Sequence, residues 1–336
     1  MTRRATLRDV AELAGVSIKT ISRVVNGTGP VAETTEHRVR AAIDELGFRP
    51  NPAARSLRVG HDDAVGLVIE NIADPFMATL TAGIESRIRA AGKLVIITSG
   101  GYEPENERAA IESLAHRRVA GMIVTPTSMS HSYLAQGVAT VPLVFVDRPP
   151  IQFDTDTVLS DNEGGARLAA EHLIAHGHER IAFVGDRIGL FTTSLRYQGF
   201  RAALTAAGLP VLAHHVRTDV VDPDSAAAAT REMLAGDDPP TAIISANARS
   251  SLGVIRGLHE EPSSMVAHVS FDDFEGAESL SPPVTVVHQD PIAMGRTAAD
   301  LMLERLDDPS GPPRHIVLPT RLIVRGSGEL PPCDPS

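Results

Sequence analysis

Apolar positions in the first fifty residues recur at helical spacing. Leu7, Val10, Ala11 and Ala14 fall on one face of "TLRDVAELAG", Thr6 and Asp9 stand three apart as a capping box requires, and Gly15 supplies a stop. About three residues on, Ser17 can cap a second helix, held to the first by Val16, Ile21, Val24 and Val25. Ile18, Lys19 and Thr20, with Arg23 one turn later, are left pointing outward. Two helices this close around a glycine have the spacing of a helix-turn-helix. The outward set suits a major groove, where Lys and Arg donate to guanine and an Ile can meet a thymine methyl. A third stretch, "TTEHRVRAAIDELGF", repeats Val39, Ala42, Ile43 and Leu46 at i, i+3, i+4 and i+7, predicting a core-facing helix closed by Gly47.

The pattern then changes twice. "RPNPAARSLRVG" offers Asn51 as N-cap and Pro52 at the first helical position of a two-turn helix through Leu57. Isolated helices below roughly 12 residues barely form in water, so this one needs a partner. From residue 62, short apolar runs alternate with amphipathic stretches: "AVGLVIE", "LVIIT", "AGMIVT", "PLVFVD", "RIAFVG", "TAIIS" and "MVAHVS". That rhythm predicts parallel sheets covered by helices on both faces. An internal echo, "GIESRIRAAGKLVI" at 83–96 and "GFRAALTAAGLPVL" at 199–212, spaces two glycines nine residues apart in each copy and predicts a strand after each. Duplicated α/β units suggest two lobes with a cleft between them, and such sheets bind ligands at the carboxyl ends of their strands.

Charge sharpens this division. The 336-residue chain carries a net −11, yet residues 1–60 hold ten Lys or Arg against six Asp or Glu, leaving 21 against 36 for the rest. A basic head on an acidic body fits a phosphate-binding module joined to a soluble regulatory domain. With 43% apolar residues the chain can bury real cores. Its apolar runs are strand-length rather than the ~20 residues of a membrane helix, and no apolar signal region follows "MTRRATLRDV", so a cytoplasmic location without membrane contact is expected. A single cysteine, Cys333, excludes a disulfide framework and a Cys-based metal site.

Residues "TLRDVAELAGVSIKTISRVVNG" and "VRAAIDELGFRPNPAARSL" closely resemble, nearly position for position, the head of the lactose-repressor family of bacterial transcription regulators. By that resemblance Ile18, Lys19 and Arg23 read bases, while Thr6, Ser17, Thr20, Ser22 and Asn26 contact the DNA backbone. The family's hinge helices, here residues 51–57, pair across a dimer and enter the minor groove through Asn51, Ala54 and Leu57, with Leu57 wedged between base pairs. Unstacking costs a few kcal/mol, offset by contacts on the bent duplex.

The likeness continues over residues 62 to about 328, through "SDNEGGARLAAEHLIAHGHERIAFVGD", "VSFDDF" and "TVVHQD", to a body similar to type I periplasmic sugar-binding proteins. It implies a helix-turn-helix domain at 1–50, a hinge and linker at 51–61 and a body of two doubly wound parallel-sheet lobes at 62–328. Lobe 1 would span about 62–160 and 291–319, lobe 2 about 161–290 and 320–328, with a disordered tail at 329–336. Asn71, Phe76, Thr125, Asp147, Thr192, Arg196, Asn247 and Asp272 would line an effector pocket. Of these, the Asp272 carboxylate and Arg196 guanidinium can grip adjacent hydroxyls or an acidic group, or pair with each other. The pocket departs from the family pattern at Ala248, Arg249 and Val221, and a chain without tryptophan has no indole platform for a pyranose.

The expected protein is thus a dimeric, sequence-specific DNA-binding regulator, a repressor of a carbohydrate-utilisation operon that leaves a palindromic operator when a sugar-like effector binds. Corepressor-dependent repression or activation is the alternative within the family. The absence of leucine heptads in "LIVRGSGELPPCDPS" points to a dimer, not a tetramer. No catalytic residue, cofactor or metal is expected: the chain lacks GxGxxG, P-loop, HExxH and GxSxG motifs, and its 13 histidines, including His176 and His178, show no metal-ligand spacing. A sugar-binding or sugar-modifying protein without DNA function is the reading from another class.

Overall fold

Thr6 begins the head as anticipated. In the computed structural model, which describes residues 5–26, 29–48, 63–127, 130–137, 140–260 and 265–332, its side chain accepts from Asp9 N, and the Asp9 carboxylate receives Thr6 N at 2.7 Å. Helix α1 (Leu7–Ala14) ends at Gly15, whose φ of 62° lets Val16 N reach back to Ala11 O. Helix α2 (Ile18–Asn26) starts at Ser17, whose hydroxyl accepts from Thr20 N at 3.1 Å. Val10, Ala11, Ala14, Ile21, Val39 and Ala42 form the core with α3 (Glu33–Glu45), and Val16, Val24, Val25 and Ile43 pack against it. Leu46 differs from expectation: it is exposed, and Phe48 takes the core position. The cause is the helix end, where Gly47 turns left-handed at φ 56° and Phe48 N bonds Ile43 O, folding the next apolar side chain back onto the core.

The head, residues 1–63, and the body, residues 64–336, are separate units. Asn51, Ala54 and Leu57, expected to belong to a hinge helix, lie outside the described residues.

Two six-stranded sheets build the body. The first has the order β11-β5-β4-β3-β1-β2, from β1 (Ala64–Ile69), β2 (Leu94–Ser99), β3 (Gly121–Val124), β4 (Leu143–Val146), β5 (Asp156–Ser160) and β11 (His315–Leu318), all parallel. The second repeats it as β12-β10-β9-β8-β6-β7, from β6 (Ile181–Val184), β7 (Val216–Arg217), β8 (Ala242–Ser245), β9 (Ala267–Phe271), β10 (Thr285–His288) and β12 (Arg321–Ile323), with only β12 antiparallel. Central strands β1, β3, β4, β6, β8 and β9 are buried on both faces, which is why they read as unbroken apolar runs.

Helices α4 (Pro75–Ala90) and α11 (Pro291–Asp307) cover one face of lobe 1, and α5 (Pro104–His116) with α6 (Ser132–Ala135) the other. In lobe 2 the matching layers are α7 (Asn162–Ala175) with α8 (Phe191–Ala206), and α9 (Pro223–Leu234) with α10 (Ala248–Glu260). The echoed glycines explain themselves here. A Cβ on Gly83 would sit 2.6 Å from Ile292 O, and one on Gly199 2.1 Å from Glu163 O, so each lets a crossing helix approach backbone to backbone. The second copy departs after its glycine pair: "LPVL" is not a strand, a short 3-10 turn (Ala213–His215) intervenes, and β7 follows at Val216.

The tail begins ordered rather than disordered. Thr285 Oγ1 donates to the Glu329 carboxylate, His172 bonds Glu329 as well, and His178 Nε2 meets Leu330 O at 2.9 Å, holding the segment to lobe 2. Residues 333–336, with Cys333, lie outside the described residues. Among the described residues no helix is long and apolar enough to cross a membrane.

Candidate functional site

On the head, Ile18, Lys19 and Arg23 stand exposed along one side of α2, and Ile18, an isoleucine left 47% exposed, has no core to fill. Thr20 is half-buried, its hydroxyl 2.9 Å from Ser17 Oγ, and Ser22 is also half-buried; for Asn26 only the backbone is described. Thr6 is exposed, its hydroxyl 2.7 Å from Asp9 Oδ2. Ser17 and the following amides therefore form a helix N-terminus whose partial positive charge favours a phosphate, beside an isoleucine and two cations that reach beyond it.

In the body, the carboxyl ends of both sheets converge on a partly open cleft of about 60 Å³. Six residues expected there line it: Phe76 from the start of α4, Asp147 after β4, Thr192 and Arg196 on α8, Asn247 after β8 and Asp272 after β9. Asn71 and Thr125 stand outside the lining, the first accepting from Ala73 N at 2.9 Å and the second donating to Val68 O at 3.3 Å. The lining also includes Glu70, Tyr102, Arg148, Asp186, Arg249 and Gln289. The signal for most of these was present, since Glu70, Arg148, Asp186 and Gln289 each sit one or two residues beyond a strand; their partners were not visible.

The two lobes present matched acid–base pairs. In lobe 1 Arg148 holds both oxygens of Glu70, donates to Pro126 O at 3.0 Å and lies 3.3 Å from Asp147. In lobe 2 Arg196 donates to Asn162 Oδ1 at 2.7 Å and Ala246 O at 2.5 Å, lies 3.7 Å from Asp272, and stacks 3.8 Å over the Phe271 ring. Asp272 also accepts from Gln289. Asp147 and Asp272 each take φ 72°, a left-handed backbone that Asp and Asn tolerate better than most residues. Each occupies the corresponding position in its lobe, just past the fourth strand of the repeat. Burial pushes the Asp147 carboxyl up to about 6, opposed by Arg148 and Arg196, and burial raises Asp272 as well.

Asn247 is partly committed: its carboxamide oxygen accepts from Ser250 N at 2.8 Å, capping α10 and leaving the amide NH2 for the cleft. Arg249 crosses between lobes, its guanidinium 5.1 Å from the Tyr102 ring while it also donates to Val221 O. Burial first, and then Asp74, push the Tyr102 hydroxyl up to about 12, so it enters the cleft as a neutral donor. Buried carboxylates beside paired guanidiniums accept hydroxyl protons well and place neutral hydroxyls in fixed orientations. Among the described residues of the cleft no Ser–His or Cys–His pair is poised for nucleophilic chemistry.

Comparison with known proteins adds two kinds of likeness. The model for "Bacterial regulatory proteins, lacI family" matches residues 6–51, and that for "Periplasmic binding protein-like domain" matches residues 170–328. The ribose operon repressor of Escherichia coli (strain K12) is 32% identical over 96% of this chain and 99% of its own length. The HTH-type transcriptional repressor PurR of Vibrio vulnificus (strain CMCP6) is 31% identical over 96% of this chain and 98% of its own. Among solved structures, the lac repressor dimer bound to operator and the anti-inducer ONPF aligns with a TM-score of 0.86 at 29% identity, covering 98% of this chain and all of that one. The transcriptional regulator CelR in complex with cellobiose aligns at 0.71 and 33%, covering 96% and 100%.

Proposed function

Because the chain belongs to the LacI family, whose members are DNA-binding transcriptional regulators rather than enzymes, we propose that it is a cytoplasmic, dimeric repressor of a carbohydrate-utilisation operon, released from its operator by a sugar-like effector. The observation that carries the reading is the coexistence of a helix-turn-helix whose second helix exposes Ile18, Lys19 and Arg23 with a two-lobed cleft lined by paired Asp and Arg side chains. Ile18, Lys19 and Arg23 would read bases, and Thr6, Ser17, Thr20, Ser22 and Asn26 would hold the backbone. Two heads related by a two-fold axis would read the halves of a palindrome, and Asn51, Ala54 and Leu57 of each would meet in the minor groove.

Carboxylates outnumber guanidiniums in the cleft, and Arg148 and Arg196 are already paired. This favours a neutral polyhydroxylated effector over a sugar acid or phosphate. An effector that bridges Asp147 of one lobe and Asp272 of the other would shift the lobes, and that displacement would link cleft occupancy to the head.

Coupling on the usual scale of about 1–3 kcal/mol is reciprocal, so operator must weaken effector binding by the same 5- to 150-fold. The test is a thermal-shift screen of neutral sugars, sugar acids and nucleosides, followed by titration of the hit with and without a palindromic duplex that the protein retards at moderate salt. Equal effector affinity in both states overturns release by this route, and tighter binding on DNA identifies a corepressor. Absence of any duplex shift removes the DNA reading.

A further inference from the structure

We infer that His214, His215 and Asp238 form a binding site for a zinc-class divalent metal ion at the edge of lobe 2. The three donor groups lie at the amino-terminal ends of β7 and β8, whereas the effector cleft lies at the carboxyl ends of the strands. His214 and His215 end the 3-10 turn that enters β7, and Asp238 belongs to the connection entering β8. The turn that interrupts the internal echo in lobe 2 is thus the element that carries the two imidazoles.

Hydrogen bonding has already set one ligand. His215 Nε2 lies 2.7 Å from the Asp238 backbone carbonyl, which carries no proton, so Nε2 must donate. The neutral ring is left with a bare lone pair on Nδ1. That atom is buried without a hydrogen-bond partner, in a residue only 1% exposed. A buried acceptor without a donor is costly, and a metal ion is an acceptor's natural partner. Imidazole that donates one N–H to a carbonyl and keeps its other nitrogen free of hydrogen bonds is the usual arrangement of a metal-ligating histidine, because the carbonyl fixes both tautomer and ring orientation.

The other two ligands stand next to it. His214 Nε2 lies 3.5 Å from Asp238 Oδ2, the two rings are 4.4 Å apart at 66°, and one ligand-capable atom from each of the three residues lies within 4.8 Å of the other two. Bonds of about 2.0–2.2 Å to nitrogen and carboxylate oxygen bring ligand atoms to roughly 3–4 Å apart, so the exposed His214 and Asp238 side chains need to close by about 1 Å. Arg180 engages the opposite carboxylate oxygen, Oδ1, at 3.4 Å and leaves Oδ2 toward His214. Two imidazoles and one carboxylate suit zinc, cobalt, nickel or copper and not magnesium or calcium, which prefer all-oxygen shells. The remaining positions would hold water.

Such an ion would join two chain segments 23 residues apart and brace β7, whose Val216 and Arg217 pair with β6 at the edge of the sheet. The experiment uses the full-length, tag-free protein, stripped with chelator. Zn²⁺ is titrated against a chromophoric chelator, and Co²⁺ is followed by visible absorption. The expected result is one site per chain, raising the melting temperature, with Mg²⁺ inert. His214→Ala and Asp238→Asn, both at exposed positions, are expected to weaken Zn²⁺ at least about tenfold, the scale on which even supporting residues act, while their metal-free melting temperatures stay close to the parent's. Cys333→Ser is expected to bind as the parent does. Unchanged affinity in both ligand variants, loss on replacing Cys333, or no stoichiometric Zn²⁺ uptake would overturn the site.

Discussion

Asp147→Asn isolates the electrostatics of the cleft, because asparagine tolerates the same left-handed backbone and has nearly the same shape. Burial moves the Asp147 carboxyl from 3.8 to about 6. Each tenfold change in a proton's binding constant is worth about 1.36 kcal/mol, so holding Asp147 ionised costs the folded state about 3 kcal/mol. The sign follows from proton binding: between these values the native state holds a proton that the unfolded chain has lost, so stability falls as pH rises. The cost is absent below 3.8, grows across the window up to about 6, and is fully present above it. Urea unfolding of parent and variant from about pH 4.5 to 8 is therefore expected to show the variant gaining on the parent as pH rises, by about 2 kcal/mol across that range, because part of the cost is already present at about pH 4.5. Effector affinity should move the opposite way if the carboxylate accepts an effector hydroxyl: it falls in the parent as pH drops through about 6, and Asp147→Asn binds weakly at every pH. A stability difference between the two proteins that stays constant across this range would refute the argument, since it would mean that Asp147 titrates alike folded and unfolded.

Other outcomes follow from single contacts. Gly199→Ala places a methyl group 2.1 Å from Glu163 O, backbone that cannot swing aside, and should cost about 1–3 kcal/mol or more in thermal unfolding, whereas Gly189→Ala, with open space around it, should be close to neutral; equal melting temperatures would refute the close helix crossing. Lys19→Ala should relax base preference at one or two operator positions by ~1–3 kcal/mol, measured by retardation of half-site variants, and uniform weakening would make Lys19 a phosphate contact. Burial opposes ionisation of Asp156, but hydrogen bonds from Arg305 and Arg314 hold its carboxyl down at about 2. That contribution is present above the unfolded value of 3.8 and is lost as pH falls toward 2, so Arg305→Met should destabilise at neutral pH and flatten the acid limb of the unfolding profile. An acid limb as steep as the parent's would show that Asp156 draws nothing from Arg305.

Local signals carried much of the architecture. Thr6, Asp9, Gly15 and Ser17 act within three or four residues of themselves, so the helix-turn-helix was legible from spacing alone. The buried strands were legible because a strand covered on both faces has no polar side to interrupt it. Leu46 was misplaced because periodicity continues past a helix end while the chain does not, and Phe48 entered the core through a turn at Gly47. The edges were harder: β5, β7, β11 and β12 sit at or beside sheet edges and mix polar with apolar residues, so no unbroken apolar run marks them.

Residue order along this chain by itself determined the helical head, the duplicated α/β body, and which strand ends would carry polar side chains, because caps, periodicity and glycine stops are short-range physics. Only the tertiary structure decided which of those polar residues meet. Arg148 finds Glu70 from 78 residues away, Arg196 reaches Ala246 from 50, and Tyr102 faces Arg249 across the lobes. Charge pairing and burial depend on distance in space, and at such separations the chain's local pattern holds no record of it.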